Sequence, residues 1–390
     1  MRVGVDGACF ANRRGYGRFA RELLTAIVAA APDDEFHCFV DTAARAAIDL
    51  TGPNVRMIDV PQRVAPTAAA AADGHRSMRD MLAFTRATRT ATIDVVFFPS
   101  VYTYFPLPPR RAGVVVVHDT IIERHPDDTL PSRRSRLLWS AKMRLALRQC
   151  RSVLTVSDYS ARDVHEVLGV ATDRISVVGE APAAAFRPST AHEVAEAAAR
   201  IGLPPNTRWI IYVGGFGPHK NVPAIVRAHA SLVERLSEPV HLVLVGAVDD
   251  DPFFSDRAAI LDSIAASGTG ALTVWTGFLP DDELRPLLGG AISLLLPSAR
   301  EGFGLPAVEA AACATPVIAT TCSPLPTLLE GGGVFVRPGD DDGLTAALVH
   351  LATDDADRVA MGRTALARAG RMSWDAAAMD ALAAIRREAG

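Results

Sequence analysis

The chain has 390 residues, of which 49% are apolar and 22% charged, with a formal charge of −4 at pH 7. That length exceeds what one hydrophobic core usually organises, so two domains are expected. The near-balanced charge excludes a protein whose main business is coating nucleic acid, because such proteins carry a large basic excess.

The amino terminus, "MRVGVDGACF", reads as a first strand and shows no charged-then-apolar signal pattern. No segment has the unbroken apolar length of a membrane span. The five cysteines, Cys9, Cys38, Cys150, Cys313 and Cys322, are scattered without a Cys-x-x-Cys pair and read as small buried hydrophobes. A cytoplasmic location follows as the expectation. All but two of the 40 basic residues are arginine, so Lys142 and Lys220 each raise the question of why an ammonium stands there.

Strand-like runs alternate with helical patterns along the whole chain, the signature of parallel sheets covered on both faces. The first series is "RVGVD" (2–6), "FHCFV" (36–40), "VRMIDV" (55–60), "DVVFF" (94–98), "GVVVVH" (113–118), "VLTVS" (153–157) and "ISVVG" (175–179). Helical patterns start at Tyr16 and Ser135, and the alanine-rich stretch 67–72 reads as loop or helix edge. The segment 133–151 carries seven basic residues beside a Leu/Trp/Met set. It reads either as an ordinary amphipathic cover helix or as one lying on an anionic membrane.

A proline-rich linker with a short helix occupies 180–205. The second series follows: "RWIIYVGG" (208–215), "VHLVLVG" (240–246), "LTVWTG" (272–277), "ISLLLP" (292–297), "PVIAT" (316–320) and "GVFVRP" (333–338). Two doubly wound domains fit, 1–187 and 188–372, with the last helix, 373–390, folding back onto the first. Sheets of this kind bind ligands outside the carboxyl ends of their strands, which puts the substrate in a cleft between the domains.

The chemistry concentrates in "PSAREGFGLPAVEAAACATPVIAT" (297–320). Glu301 falls in a strand-to-helix loop and Glu309 in the first helical turn, since Pro306 suits a helix start and Pro316 must stop it. Gly302 and Gly304 let the backbone approach a ligand closely, and the amides near Gly304 and Leu305 make an anion site. Two flanking carboxylates would repel a bare phosphate but suit a ligand carrying hydroxyls beside its phosphates. A sugar nucleotide has that pattern, with Glu309 on the ribose and Glu301 on the sugar. The plainer alternative for Glu309 is a glutamate stabilising its own helix start, worth roughly 0.3–1 kcal/mol.

"EGFGLPAVE" with "AAACATPVIAT" resembles the E-x7-E motif of the retaining nucleotide-sugar glycosyltransferases of family 4, which have the GT-B fold of two facing Rossmann-like domains. "IIYVGGFGPHKNV", "WTGFLPDDEL", "VVVVHDTI", "VLTVSDYSARDV" and the closing "SWDAAAMDALAAIRRE" are similar to further segments of that family, in the same order. The resemblance implies transfer of a hexose from a UDP- or GDP-sugar to a glycan, lipid-linked or small-molecule hydroxyl, with no cofactor and no metal. Such enzymes serve cell-envelope, polysaccharide or secondary-metabolite synthesis, and contact with the inner face of a membrane through 133–151 would accord with that.

Residue by residue, the resemblance implies Lys220, beside His219, on the donor diphosphate. The family's usual arginine just after the strand is replaced here by Gly215 and Phe216, and Gly215 is expected among the donor-binding residues. His118 is expected near the transferred sugar, and Asp119 orienting its loop or ring. Phe278 and Leu279 would line the base pocket, and Phe303 lies inside the glycine loop of the donor site. "NRRGYGRFARELL" matches G-x-G-x-x-A, yet eight residues separate it from its strand, unlike a dinucleotide fingerprint. Gly15 and Gly17 are therefore expected in a loop against the donor phosphates. The acidic runs Asp249–Asp251 and Asp340–Asp342 read as solvated turns. The competing readings are a nucleotide-sugar 2-epimerase, an NAD-dependent dehydrogenase and a non-catalytic sugar-nucleotide binder.

Overall fold

The computed structural model describes residues 1–12, 14–62, 78–130, 132–247 and 255–390. The alanine-rich stretch 67–72 and the run Asp249–Asp251 lie outside the described residues. The chain divides into two compact units, Met1–Glu180 with Ser373–Gly390, and Ala181–Met372.

The first unit is built on β1 (Arg2–Asp6), β2 (Glu35–Val40), β3 (Val55–Asp59), β4 (Val95–Phe98), β5 (Ala112–Val116), β6 (Ser152–Thr155) and β7 (Ile175–Val177). They pair in the order β3-β2-β1-β4-β5-β6-β7, and every pairing is parallel. Central strands such as β4, "VVFF", are buried at every position, as a sheet covered on both faces requires.

The helix Gly15–Ala30 turns Phe19, Leu23, Leu24 and Ile27 inward at helical spacing. Against it packs the C-terminal helix Trp374–Ala389, whose inner face is mostly alanine (Ala377, Ala378, Ala381, Ala384) and so permits close approach. Ser373 caps that helix by accepting from the amides of Asp375 and Ala376. Arg386 to Asp34 (3.1 Å) and Arg387 to Ser176 (2.8 Å) fasten its far end. The helix Arg133–Gln149 packs beside β5, with Met143 and Ala146 buried. Lys142 on that helix donates to the Tyr102 carbonyl at 3.0 Å and lies 5.0 Å over the Trp139 ring, so this lysine serves packing.

The second unit holds β8 (Arg208–Val213), β9 (Val240–Val245), β10 (Thr273–Gly277), β11 (Leu294–Leu296), β12 (Val317–Thr320) and β13 (Gly333–Val336). Their order is β10-β9-β8-β11-β12-β13, again all parallel. All thirteen expected strands are present. Strand order reverses between β1 and β4 in one unit and between β8 and β11 in the other, and crevices open at the carboxyl ends of such neighbours. The linker helix Ala191–Arg200 starts with a capping box of Thr190 and Glu193.

The acidic run Asp340–Asp342 is largely solvent-exposed, as its composition suggests, but it opens a helix instead of forming a turn. Asp340 caps the helix Asp341–Thr353 by accepting from the Gly343 amide at 2.8 Å, and Asp341 pairs with Arg227 at 2.5 Å. Carboxylates are stabilised at a helix start by its unpaired N–H groups.

Candidate active site

At the reversal point of the second sheet, two loops meet. The one leaving β8 ends in the short turn Pro218–Lys220, and the one leaving β11 carries Ser298, Ala299 and Glu301. The Ala299 amide donates to the His219 carbonyl at 2.7 Å, and the Glu301 amide to the Cys322 carbonyl at 3.0 Å, which ties the β11 loop to both neighbours. Lys220 Nζ donates to Glu301 Oε1 at 2.7 Å, and the buried Ser298 Oγ donates to the same oxygen at 2.5 Å. The side chains of Lys220 and Glu301 are 19% and 10% exposed, so water screens the pair only in part. An ammonium has three donors and a carboxylate two acceptor oxygens. One Lys220 proton is spent on Glu301, and both bonds fall on Oε1, which leaves Oε2 to serve a ligand.

Immediately beyond, Gly304 takes a left-handed conformation (φ 94°) and caps the helix Leu305–Ala312. A Cβ there would be strained and would meet Leu325 Cδ1 at 2.9 Å. Ala307 and Val308 donate back to the Gly304 carbonyl, and Pro306 has no N–H. The amides of Gly304 and Leu305 take no backbone partner among the described residues, so this helix start can receive an anion. Gly302, Phe303 and Leu305 are buried around it.

Glu309 lies in the second turn of that helix, not the first, because the helix begins at Leu305. A carboxylate there gains little from the helix start, since that effect fades beyond the first turn. Glu309 is 3% exposed. Its charge adds to burial in pushing the Cys313 thiol up to about 12.

Gly215 and Phe216 stand at the position of the absent arginine. The Gly215 carbonyl accepts from the Tyr212 hydroxyl, and the buried Phe216 ring packs against Tyr212 (5.7 Å) and Trp275 (5.0 Å). Phe278 and Leu279 follow β10, with Phe278 46% exposed and Leu279 half-buried.

In the first unit, His118 follows β5 and is buried. Its Nε2 lies 3.1 Å from the Pro99 carbonyl, and a carbonyl only accepts, so Nε2 carries a proton there. Its Nδ1 faces the buried Glu180 carboxylate at 3.8 Å, and Phe19 meets the ring edge-on at 4.7 Å. Asp119 accepts from the Ile121 amide at 2.9 Å and so orients the loop.

Gly15 and Gly17 are not in a loop; they occupy the first turn of the helix Gly15–Ala30. The space where Gly17 would carry a Cβ is filled by the Asn12 carbonyl oxygen, 2.0 Å away, so this glycine admits its own preceding loop. Gly15 is exposed at the helix start.

Two family models cover this architecture: Glycosyltransferase Family 4 over residues 13–180 and Glycosyl transferases group 1 over residues 194–368. The chain belongs to the family 4 glycosyltransferases.

O-antigen chain mannosyltransferase B of Escherichia coli is 28% identical to this glycosyltransferase over 285 residues, covering 70% of this chain and 69% of that protein. D-inositol 3-phosphate glycosyltransferase of Corynebacterium urealyticum is 30% identical over 224 residues, covering 56% of this chain and 52% of that one. The glycosyltransferase thus spans about half the length of the second relative. Among solved structures, sucrose-phosphate synthase from Thermosynechococcus elongatus aligns with a TM-score of 0.75 at 19% identity, over 99% of this chain and 98% of that chain. Anabaena Alr3699/HepE in complex with UDP-glucose aligns at 0.72 and 17%, over 98% and 99%. These likenesses establish the GT-B fold.

Among the described residues of the glycosyltransferase, no group of three or more His, Cys, Asp or Glu side chains is arranged for a metal ion. Among them also, no helix is long and apolar enough to cross a membrane. Two site neighbours escaped the sequence reading. Ser298 stands three residues before Glu301 in the chain, but an isolated serine gives no signal. Glu180 lies 62 positions from His118, and only the adjacency of β5, β6 and β7 brings them together.

Proposed function

We propose that this glycosyltransferase moves a hexose from a nucleoside diphosphate sugar, UDP- or GDP-linked, to an acceptor hydroxyl with retention of anomeric configuration, in the cytoplasm and without a resident metal. The observation that carries the reading is the Lys220–Glu301 pair at the reversal point between β8 and β11. A pyrophosphate seated there meets the two remaining Lys220 protons and the amides of Gly304 and Leu305. Negative charge grows on the leaving diphosphate as the glycosidic bond breaks, and a fixed ammonium stabilises that charge more than it stabilises the intact donor. His219 borders the same loop.

Glu301 Oε2 accepts from hydroxyls of the transferred sugar, and Glu309 from the ribose. Phe278 and Leu279 offer an apolar surface to the base. His118 keeps the role the resemblance implies, contact with the transferred sugar. Gly15, exposed at its helix start, keeps the role implied for it toward the donor phosphates, whereas Gly17 serves its own preceding loop.

Retention needs no protein nucleophile on this reading. The acceptor oxygen forms the new bond to the anomeric carbon from the face the diphosphate leaves, and its proton passes to a donor phosphate oxygen. Relatives that are a mannosyltransferase and an inositol phosphate glycosyltransferase, and a neighbour holding UDP-glucose, support a sugar-nucleotide donor. A panel of UDP- and GDP-hexoses, read by nucleotide release and by the anomeric configuration of the product, tests the reading. It expects release from one donor, an unchanged anomeric centre and no loss of rate with a chelator. Inversion, or a donor sugar altered without transfer, would overturn it.

A further inference from the structure

In the second unit the turn Pro218–Lys220 passes through Asn221, left-handed at φ 52°, straight into the helix Val222–Arg235. The seat of that helix on the sheet therefore sets where Lys220 stands. Its inner stripe is Val222, Ile225, His229 and Leu232, at helical spacing, and the histidine is the polar member. A leucine would pack there as well, so the imidazole needs another reason.

His229 is fully buried, and its Nε2 lies 2.7 Å from the Val240 carbonyl at the start of β9. A carbonyl only accepts, so Nε2 carries the proton. This bond ties the middle of the helix to the sheet. Nδ1 of the same ring is buried with no hydrogen-bond partner among the described residues. His241, next to Val240 on β9, is also buried, and its Nδ1 is likewise without a partner among them.

The surroundings offer no counter-charge for a second proton. From β9 the ionisable group facing His229 is His241, which would carry the same sign. β8 brings Arg208, already bonded to the Ala352 carbonyl, and β10 brings no charged residue. The helix Arg257–Ser267 holds Arg257 and Asp262, both exposed. The helix Asp341–Thr353 holds Asp342 and His350, exposed, and Asp341, engaged with Arg227. On its own helix Glu234 and Arg235 face solvent. Burial pushes both imidazoles below their ordinary value; for His229 the Val240 bond opposes this and His241 adds to it.

We propose that His229 and His241 form an acid-sensitive latch for the helix that carries the Lys220 turn. While both rings are neutral, the helix sits on β9. A proton on either is a buried charge facing a second imidazole, relieved when the helix lifts. Lifting shifts the turn ahead of it, so the grip on a diphosphate loosens in acid. That coupling rests on the transferase reading above; the latch does not. The sign follows from linkage: a histidine depressed in the folded state adds stability above its unfolded value near 6.5, and loses it as pH falls toward the folded one.

Glutamine can present a donor where His229 presents Nε2–H, and it cannot take up a proton. Urea unfolding of the full chain at pH 7.5 and 5.5 should show the parent losing up to about tenfold more in its folding equilibrium than His229→Gln does. A gap between the two that does not change with pH would overturn the latch. Imidazole proton shifts of the parent decide the same point without a substitution. Two of the ten histidines should stay neutral at pH 6, and titration of all ten together with the exposed ones would overturn it. Calorimetry with UDP and GDP at the two pH values tests the coupling, since protonation of the ligand itself cancels between parent and variant. The parent's affinity should fall several-fold further than the variant's, and an equal fall would overturn the coupling. A parent that binds neither diphosphate at pH 7.5 would instead strike the Lys220 assignment, with the unfolding comparison still deciding the latch.

Discussion

Lys220 and Glu301, 81 positions apart in the chain, are joined by a 2.7 Å ion pair at the carboxyl end of the second sheet. Glu301 both aims the ammonium and competes with a ligand phosphate for it. Glu301→Gln should therefore separate binding from transfer. Free nucleoside diphosphate should bind at least as tightly as to the parent, because a competing carboxylate is gone. Sugar transfer should fall about tenfold or more, since a charged acceptor bond contributes about 1.5–3 kcal/mol. Calorimetry and steady-state kinetics on one preparation check both; an unchanged transfer rate would remove Glu301 from the sugar.

Ser298 holds the same carboxylate from the buried side. Ser298→Ala frees Glu301 to rotate, so kcat should drop roughly tenfold while KM for the donor moves little. A rise in KM alone would mean that the serine supports ground-state binding instead.

Glu309, inward-facing and in the second helical turn, is assigned the ribose. The parent should bind a ribonucleoside diphosphate about tenfold or more tighter than its 2′-deoxy analogue, and Glu309→Ala should lose that preference. Retention of the preference in the variant would send Glu309 back to a packing role.

Away from the site, Arg285 and the Thr190 cap hold the Glu193 carboxyl down at about 2, against its ordinary 4.5, with the Arg285 bond at 2.5 Å the larger cause. A depressed folded-state pKa adds stability above the unfolded value and loses it as pH falls toward the folded one. Glu193→Gln should melt lower than the parent near neutrality, and the gap should close between pH 4.5 and about 2. Thermal melting across that range is the check, and a gap independent of pH would contradict the assignment.

How much of this was readable beforehand follows physical lines. Runs such as "VVVV" and "LVLV" announce buried parallel strands, because only a strand covered on both faces tolerates unbroken β-branched and leucine residues. The glycine-glutamate loop was legible because glycine, proline and carboxylate each constrain the backbone in known ways. What failed was register at helix starts. The helix at Gly15 begins just after an irregular loop, and Gly17 is required by Asn12, a contact between residues that sequence spacing does not reveal. Glu309 moved to the second turn because Gly304, not a polar side chain, caps the helix. Ser298 and Glu180 stayed invisible, since each matters only through a residue that folding brings to it.

The most direct test of the central claim is calorimetric titration of parent and Lys220→Ala with a nucleoside, its monophosphate and its diphosphate. The pyrophosphate grip proposed for Lys220 predicts that the variant binds the nucleoside as the parent does and the diphosphate about ten- to a hundredfold more weakly. A variant that keeps the parent's preference for diphosphate, with its melting temperature intact, would contradict that claim.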